Sequence, residues 1–267
     1  MPYVETNGIQ LYYEEQGSGE PLLLIMGITA AGTVWEKHAG YWQQQFRCIL
    51  GDNRGVGRSD KPAWPYTTEQ MADDYAGLLE QLDIPAAHVV GCSMGSTIAQ
   101  QLALRHPGKV KSLVLMCTWA RCDRMAKAIF QHIKDCKSGL SPAEFARYIQ
   151  LLIYSKRSFD DDVIFDDMIT GQQEAGIQPD QQPAHALVSQ ADACMSHYSL
   201  EKLGEISKAT LVIGGEEDIF TPAWMAQEVA AAIPQAELFL YPFSGHAFHW
   251  ENLDDFNNRV LNWLKTK

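Results

Sequence analysis

Gly91-Cys92-Ser93-Met94-Gly95 follows the apolar run His88-Val89-Val90 and leads into a segment with helical patterning. This is a G-x-S-x-G pattern set between a strand and a helix. A turn this tight forces its central residue into a strained backbone conformation. It also needs small residues two before and two after, where the strand and helix backbones approach. The serine hydroxyl is thereby held clear of the sheet, at the positive end of a helix. Such a placement suits a nucleophile and contributes little to folding.

Outward from this turn, short continuous apolar runs recur at Leu22 to Met26, Phe46 to Leu50, His88 to Cys92, Leu113 to Cys117, Leu211 to Ile213 and Leu238 to Tyr241. Continuous rather than alternating runs indicate parallel strands covered on both faces. Tyr3 to Thr6 and Gln10 to Glu15 flank Asn7-Gly8 and read as a hairpin. Met71, Tyr75, Leu78, Leu79 and Leu82 share one helical face, as do Phe256, Val260, Leu261 and Leu264. After Ser93, the small residues Gly95, Ala99 and Ala103 would let a helix lie close to the sheet. The fold class expected is α/β, a mostly parallel, doubly wound sheet. From about Trp119 to Leu203 only helical patterns and loops are found, so residues 119–203 are read as a helical lid inserted into a core made of 1–118 and 204–267. Ser141-Pro142-Ala143-Glu144 starts a helix within it.

A serine nucleophile needs a base, and the base needs an orienting acid. On a parallel sheet these sit beyond the carboxyl ends of strands, in the order serine, acid, histidine. Asp218 follows the strand ending near Ile213 through Gly214-Gly215-Glu216-Glu217. Glu216 and Glu217 compete; Asp218 is preferred because the Gly-Gly turn needs length to carry a carboxylate over the sheet edge. The base is His246, in Pro242-Phe243-Ser244-Gly245-His246, with His249 as its rival. An oxyanion hole would take one backbone N–H from Met94, at a helix N-terminus, and one from Ile28, in the loop after Met26-Gly27.

Other features receive plainer readings. Cys92 is read as a small buried thiol turned away from the serine. Asp160-Asp161-Asp162 and Asp166-Asp167 cap or solvate a helix rather than hold a cation. Trp119, Met125, Tyr148 and Leu152 are candidates for lining a substrate pocket; packing of the insertion against the core explains them equally well. The 267 residues carry 21 Lys and Arg against 33 Asp and Glu, a formal charge of −12, which argues against nucleic acid or anionic membranes as partners. The start, Met1-Pro2-Tyr3-Val4-Glu5, lacks the features of a signal peptide, and Pro21 to Gly32 is too short to span a bilayer. The cysteines show no C-x-x-C spacing and read as reduced thiols, so a cytoplasmic setting is expected.

With these residues placed, the chain resembles the α/β-hydrolase superfamily over nearly its whole length, and is most similar to small members such as 3-oxoadipate enol-lactonases, carboxylesterases and cofactor-free perhydrolases. The motifs that carry the resemblance are Asp52-Asn53-Arg54-Gly55-Val56-Gly57-Arg58-Ser59, the serine turn, Gly214 to Pro222, and Ser244-Gly245-His246 followed by Glu251 and Phe256. The chain departs from the common pattern in having Met26 where a histidine often precedes the glycine, and Ser96 where glycine is common. The resemblance implies an eight-stranded sheet and a serine hydrolase, acting on a small ester or lactone with no cofactor and no metal. The same triad would serve carbon–carbon bond hydrolysis or perhydrolysis. A ligand-binding receptor on this scaffold is the alternative outside enzymes. Either a monomer or a homodimer is compatible with the sequence.

Overall fold

A computed structural model describes residues 2–177 and 182–267 of the chain. Strands β1 (Tyr3–Thr6) and β2 (Ile9–Gln16) form the expected hairpin. Asn7 and Gly8 take φ of 47° and 77°, the left-handed pair that a two-residue turn of the right twist demands. The chain continues through β3 (Glu20–Ile25), α1 (Glu36–Trp42), β4 (Phe46–Gly51), α2 (Thr68–Gln81), β5 (Ala87–Cys92), α3 (Met94–Arg105) and β6 (Val110–Met116). Among the described residues five α-helices follow: α4 (Arg124–Lys137), α5 (Pro142–Ile153), α6 (Lys156–Phe159), α7 (Asp162–Ile177) and α8 (Ala184–Ser196). The sheet resumes with β7 (Ala209–Gly215), α9 (Ala223–Ala232) and β8 (Glu237–Tyr241), before α10 (Phe248–Glu251) and α11 (Leu253–Leu264).

The strands make one eight-stranded sheet in the order β1-β2-β4-β3-β5-β6-β7-β8. β1, β2 and β4 pair antiparallel; every pairing from β4 to β8 is parallel. Alternate residues of the central strands feed two cores. Leu23, Ile25, Val89, Leu113 and Val212 pack under α2, α3 and α8, while Leu22, Leu24, Val90, Val114 and Ile213 pack under α1 and α11. Burial on both faces is why these strands read as unbroken apolar runs. β8 departs from that expectation. Leu238 is 41% exposed, because β8 is the last strand and lacks a neighbour on one side. Arg259 covers part of this edge, its guanidinium 3.6 Å from the centre of the Phe239 ring.

The connections fix where a site can form. From β3 the chain turns to one side, to β4; from β5 it turns to the other, to β6. β3 and β5 are neighbours, so their following loops diverge and leave a crevice at their carboxyl ends. Between β6 and β7, an isolated bridge of Arg121 with Tyr198 is the one β-interaction outside the named strands among the described residues. Ser141 and Glu144 form a reciprocal cap at the start of α5, and Asp161 caps α7 by accepting from the N–H groups of Val163 and Ile164, both at 3.0 Å. The segment 119–203 expected as a lid includes 178–181, which lie outside the described residues. No helix among the described residues is long and apolar enough to cross a membrane.

Candidate functional site

The serine turn has the geometry its small residues predict. Ser93 stands between β5 and α3 with φ 55° and ψ −122°. A Cβ on Gly91 would lie 2.6 Å from the carbonyl carbon of Gly95, and one on Gly95 would lie 2.6 Å from that of Ile25. Both obstacles are backbone and cannot rotate away. The Ser93 N–H donates to the Met116 carbonyl at 2.8 Å, and the Ser96 hydroxyl donates to the Ser93 carbonyl at 2.6 Å. These bonds hold the turn from both sides. The Ser93 hydroxyl oxygen is buried and has no hydrogen-bond partner among the described residues. A buried hydroxyl left unbonded costs about 1–3 kcal/mol, so it needs a reason beyond folding.

Asp218 and His246 meet. The loop after β7 buries the Asp218 side chain and leaves Glu216 and Glu217 exposed. Asp218 Oδ1 accepts from the N–H groups of Phe220 at 2.8 Å and Thr221 at 2.9 Å. Its Oδ2 accepts from the Thr221 hydroxyl at 2.8 Å and from Nδ1 of His246 at 2.8 Å. Thr221 carries no role in the sequence reading. Its position three residues after the aspartate is the signal that it could cap the carboxylate, and its Oγ1 also lies 3.1 Å from His246 Nδ1. Burial works to lower the His246 pKa, but the charge and hydrogen bond of Asp218 outweigh it and raise the value above the ordinary 6.5. With Nδ1 committed to Asp218, Nε2 carries the lone pair that could take a proton. No hydrogen bond joins Nε2 to Ser93 Oγ. Such contacts tighten when substrate binds.

His249, the rival base, belongs to the core. It is fully buried in α10, and burial, followed by the neighbouring His38 and His246, lowers its pKa well below 6.5. His38 Nδ1 donates to Asn257 Oδ1 at 2.6 Å, so its Nε2 accepts, at 2.9 Å, from Nδ1 of His249. That leaves His249 Nε2 as an acceptor 4.0 Å from the Cys92 sulfur. Cys92 packs in the core under α1 and α11. Cys117, at φ 49° just after β6, points its thiol at the His246 carbonyl, 2.9 Å away. Among the described residues, metal-ligating atoms of Cys117, Asp218 and His246 lie within 4.8 Å of one another. Asp218 and His246 are already bonded to each other, so a cation there would have to replace the proton on Nδ1.

Met94 follows the serine directly, and Ile28 lies in the loop after β3. Met94 opens α3, where the first N–H groups lack intrahelical acceptors. The Ile28 N–H has no acceptor among the described residues. Gly27 brings that loop against the nucleophile: a Cβ on it would sit 3.1 Å from Ser93 Cβ and 3.6 Å from Ser93 Oγ. The four pocket candidates are placed differently from one another. Trp119 is fully buried, with its ring against Phe130 and His197. Phe130 packs on Phe220, which tilts over the His246 ring with centroids 5.2 Å apart. Tyr148 and Leu152 are half-buried on α5, and Met125 stands out at the surface, 60% exposed.

Comparison with known proteins agrees with this architecture. A family model described as alpha/beta hydrolase fold matches residues 20–253. A protein of Mycobacterium tuberculosis H37Rv named putative non-heme bromoperoxidase BpoC is 34% identical over 262 residues, spanning 96% of this chain and 98% of the relative. The putative carbamate hydrolase RutD of Azorhizobium caulinodans is 27% identical over 261 residues, spanning 98% and 97%. The structure of a thermophilic esterase from Thermogutta terrifontis superposes with a TM-score of 0.85 at 26% identity, covering 100% of this chain and 97% of that one.

Proposed function

We propose, from the premise that this chain belongs to the α/β-hydrolase family, that it is a serine hydrolase cleaving a small carboxylic ester or lactone. The observation that supports this reading is a strained, buried, unbonded serine hydroxyl beyond the carboxyl end of β5, with an oriented His–Asp pair beyond the carboxyl ends of β7 and β8 of the same parallel sheet. In the proposed reaction Ser93 Oγ attacks the carbonyl carbon as its proton passes to Nε2 of His246. Asp218 keeps the imidazole in the tautomer whose Nε2 is free and stabilises the imidazolium. The N–H groups of Ile28 and Met94 donate to the oxyanion. The tetrahedral species collapses, the C–O bond of the leaving group breaks, and the alkoxide takes the proton from His246. Water, deprotonated by the same nitrogen, then attacks the acyl-enzyme and releases the acid and Ser93. In this reading α4 to α8 serve as the lid over the crevice, and the relative named an esterase is in keeping with the substrate class.

A second reading is perhydrolysis: peroxide replaces water in the last step and a peracid leaves. The 34%-identical relative named as a bromoperoxidase favours including it. One experiment tests the main reading. The protein is incubated with p-nitrophenyl acetate and butyrate, alongside Ser93→Ala, and its intact mass is measured after a fluorophosphonate probe. Turnover lost in the variant, with one probe adduct at Ser93, supports the hydrolase. Equal background rates and no adduct would instead indicate a binding protein. Adding hydrogen peroxide and assaying peracid formation tests the second reading.

A further inference from the structure

The motif Asp52 to Ser59 takes no part in the proposed chemistry, yet it grips the loop after β3 repeatedly. Asp52 Oδ1 accepts from the Gly32 N–H at 2.6 Å. Asn53 Nδ2 donates to the Met26 carbonyl at 2.8 Å. The Arg54 carbonyl accepts, at 2.8 Å, from the side-chain amide of Gln190, which reaches across from α8. The other end of that amide, Gln190 Oε1, accepts from the Thr29 N–H at 3.1 Å and from Gln182 Nε2 at 2.8 Å. Gln190 is fully buried, and Asn53 is 1% exposed.

The two carboxamides bracket a single peptide unit. Asn53 fixes the peptide between Met26 and Gly27; Gln190 fixes the one between Ile28 and Thr29. The peptide left between them carries the Ile28 N–H. Thr29 has φ 69°, an unfavourable value for a β-branched residue, so something must hold it there. The orientation of Gln190 is set by its partners: a backbone N–H requires the oxygen on one side, and a backbone carbonyl requires the NH2 on the other. We propose that Gln190, with Asn53 as its counterpart, is a positioning residue that aims the Ile28 N–H at the oxyanion and couples α8 to the crevice. This rests on the serine-hydrolase reading above. Gln190 touches no reacting atom and acts through the loop.

The test compares wild type with Gln190→Met, which keeps size and removes all three hydrogen bonds, and Gln190→Glu, which keeps the acceptor for Thr29. Active sites are titrated with a fluorophosphonate, so kcat is expressed per competent site. Gln190→Met should lower kcat by about 10- to 100-fold, with KM within about threefold, the size of effect expected from a misaimed donor. Its inhibition by a trifluoromethyl ketone, which forms a hemiketal oxyanion on the serine, should weaken in parallel with kcat/KM. Gln190→Glu should fall between Gln190→Met and wild type. A Gln190→Met enzyme with wild-type kcat per site, or with its loss wholly in KM, overturns the proposal. If that variant does not fold, unchanged kcat per site in Gln190→Glu overturns it. A wild-type protein that the probe does not label at Ser93 overturns the hydrolase reading itself, and this inference with it.

Discussion

Asp218→Asn separates an orienting carboxylate from a merely structural one. The two oxygens of Asp218 are not equivalent. Oδ1 takes two backbone N–H groups, from Phe220 and Thr221, and only an oxygen can occupy that place. The amide nitrogen of an asparagine must therefore fall where Oδ2 now faces Nδ1 of His246 and the Thr221 hydroxyl. An N–H pointed at Nδ1 requires a lone pair there, which moves the ring proton to Nε2. The base toward Ser93 then has no lone pair to offer. A carboxylate-to-amide change that locks the wrong tautomer costs about 10⁴ in kcat, or about 5.4 kcal/mol at ~1.36 kcal/mol per decade. The volume and two backbone hydrogen bonds persist, so stability should change much less than activity. Stopped-flow hydrolysis of p-nitrophenyl acetate gives the rate, and urea unfolding gives the stability. NMR of the imidazole should also show a lowered pKa, since the opposing effect of Asp218 is gone and burial remains. A variant that hydrolyses the ester within tenfold of the wild-type rate would refute the assigned role of Asp218.

Other consequences can be measured directly. With the His246 pKa raised above 6.5, kcat/KM should climb with pH through a midpoint above 6.5. The same shift means that the pair's contribution to stability is full below the unfolded value and lost as pH rises through the folded one. The urea midpoint of wild type relative to Asp218→Asn should therefore fall as pH rises above about 6.5; a rise would contradict the direction of the shift. Gly95→Ala places a Cβ 2.6 Å from the Ile25 carbonyl carbon and 2.8 Å from the Met26 oxygen. Pushing α3 off the sheet should cost about 1–3 kcal/mol or more, and circular dichroism during urea unfolding would reveal it. Arg54 is fully buried and held by both oxygens of Asp74, at 2.6 and 2.5 Å. Asp74→Ala leaves that guanidinium unpaired and should destabilise the protein by about 3–5 kcal/mol; a loss under about 1 kcal/mol in the same assay would show that water reaches the site.

Much of the architecture was legible because its signals are local. Glycine at positions 91 and 95 around Ser93, the Asn7-Gly8 turn, the Ser141 cap and the unbroken apolar runs each act through neighbours in the chain. The exposed Leu238 escaped this reading because a run of apolar residues does not say whether its strand has one neighbour or two. Asp218 could be preferred to Glu216 and Glu217 by loop length, but their exposure is a property of the folded loop. The bond from Thr221 to Asp218 was not legible because a threonine before a proline, as at Thr221-Pro222, commonly marks a helix start. Trp119 and Met125 look alike as apolar candidates, yet one is fully buried and the other mostly exposed.

Local signals along the chain carry the α/β class, the strand-turn-helix at Ser93, and the order of serine, aspartate and histidine. Those follow from periodicity, steric demand and short-range hydrogen bonding. The tertiary structure decided that His246 rather than His249 meets Asp218, and that Gln190 closes on a loop 161 residues away. Contacts over such separations depend on how strands are ordered and which faces helices bury, and no local pattern encodes them.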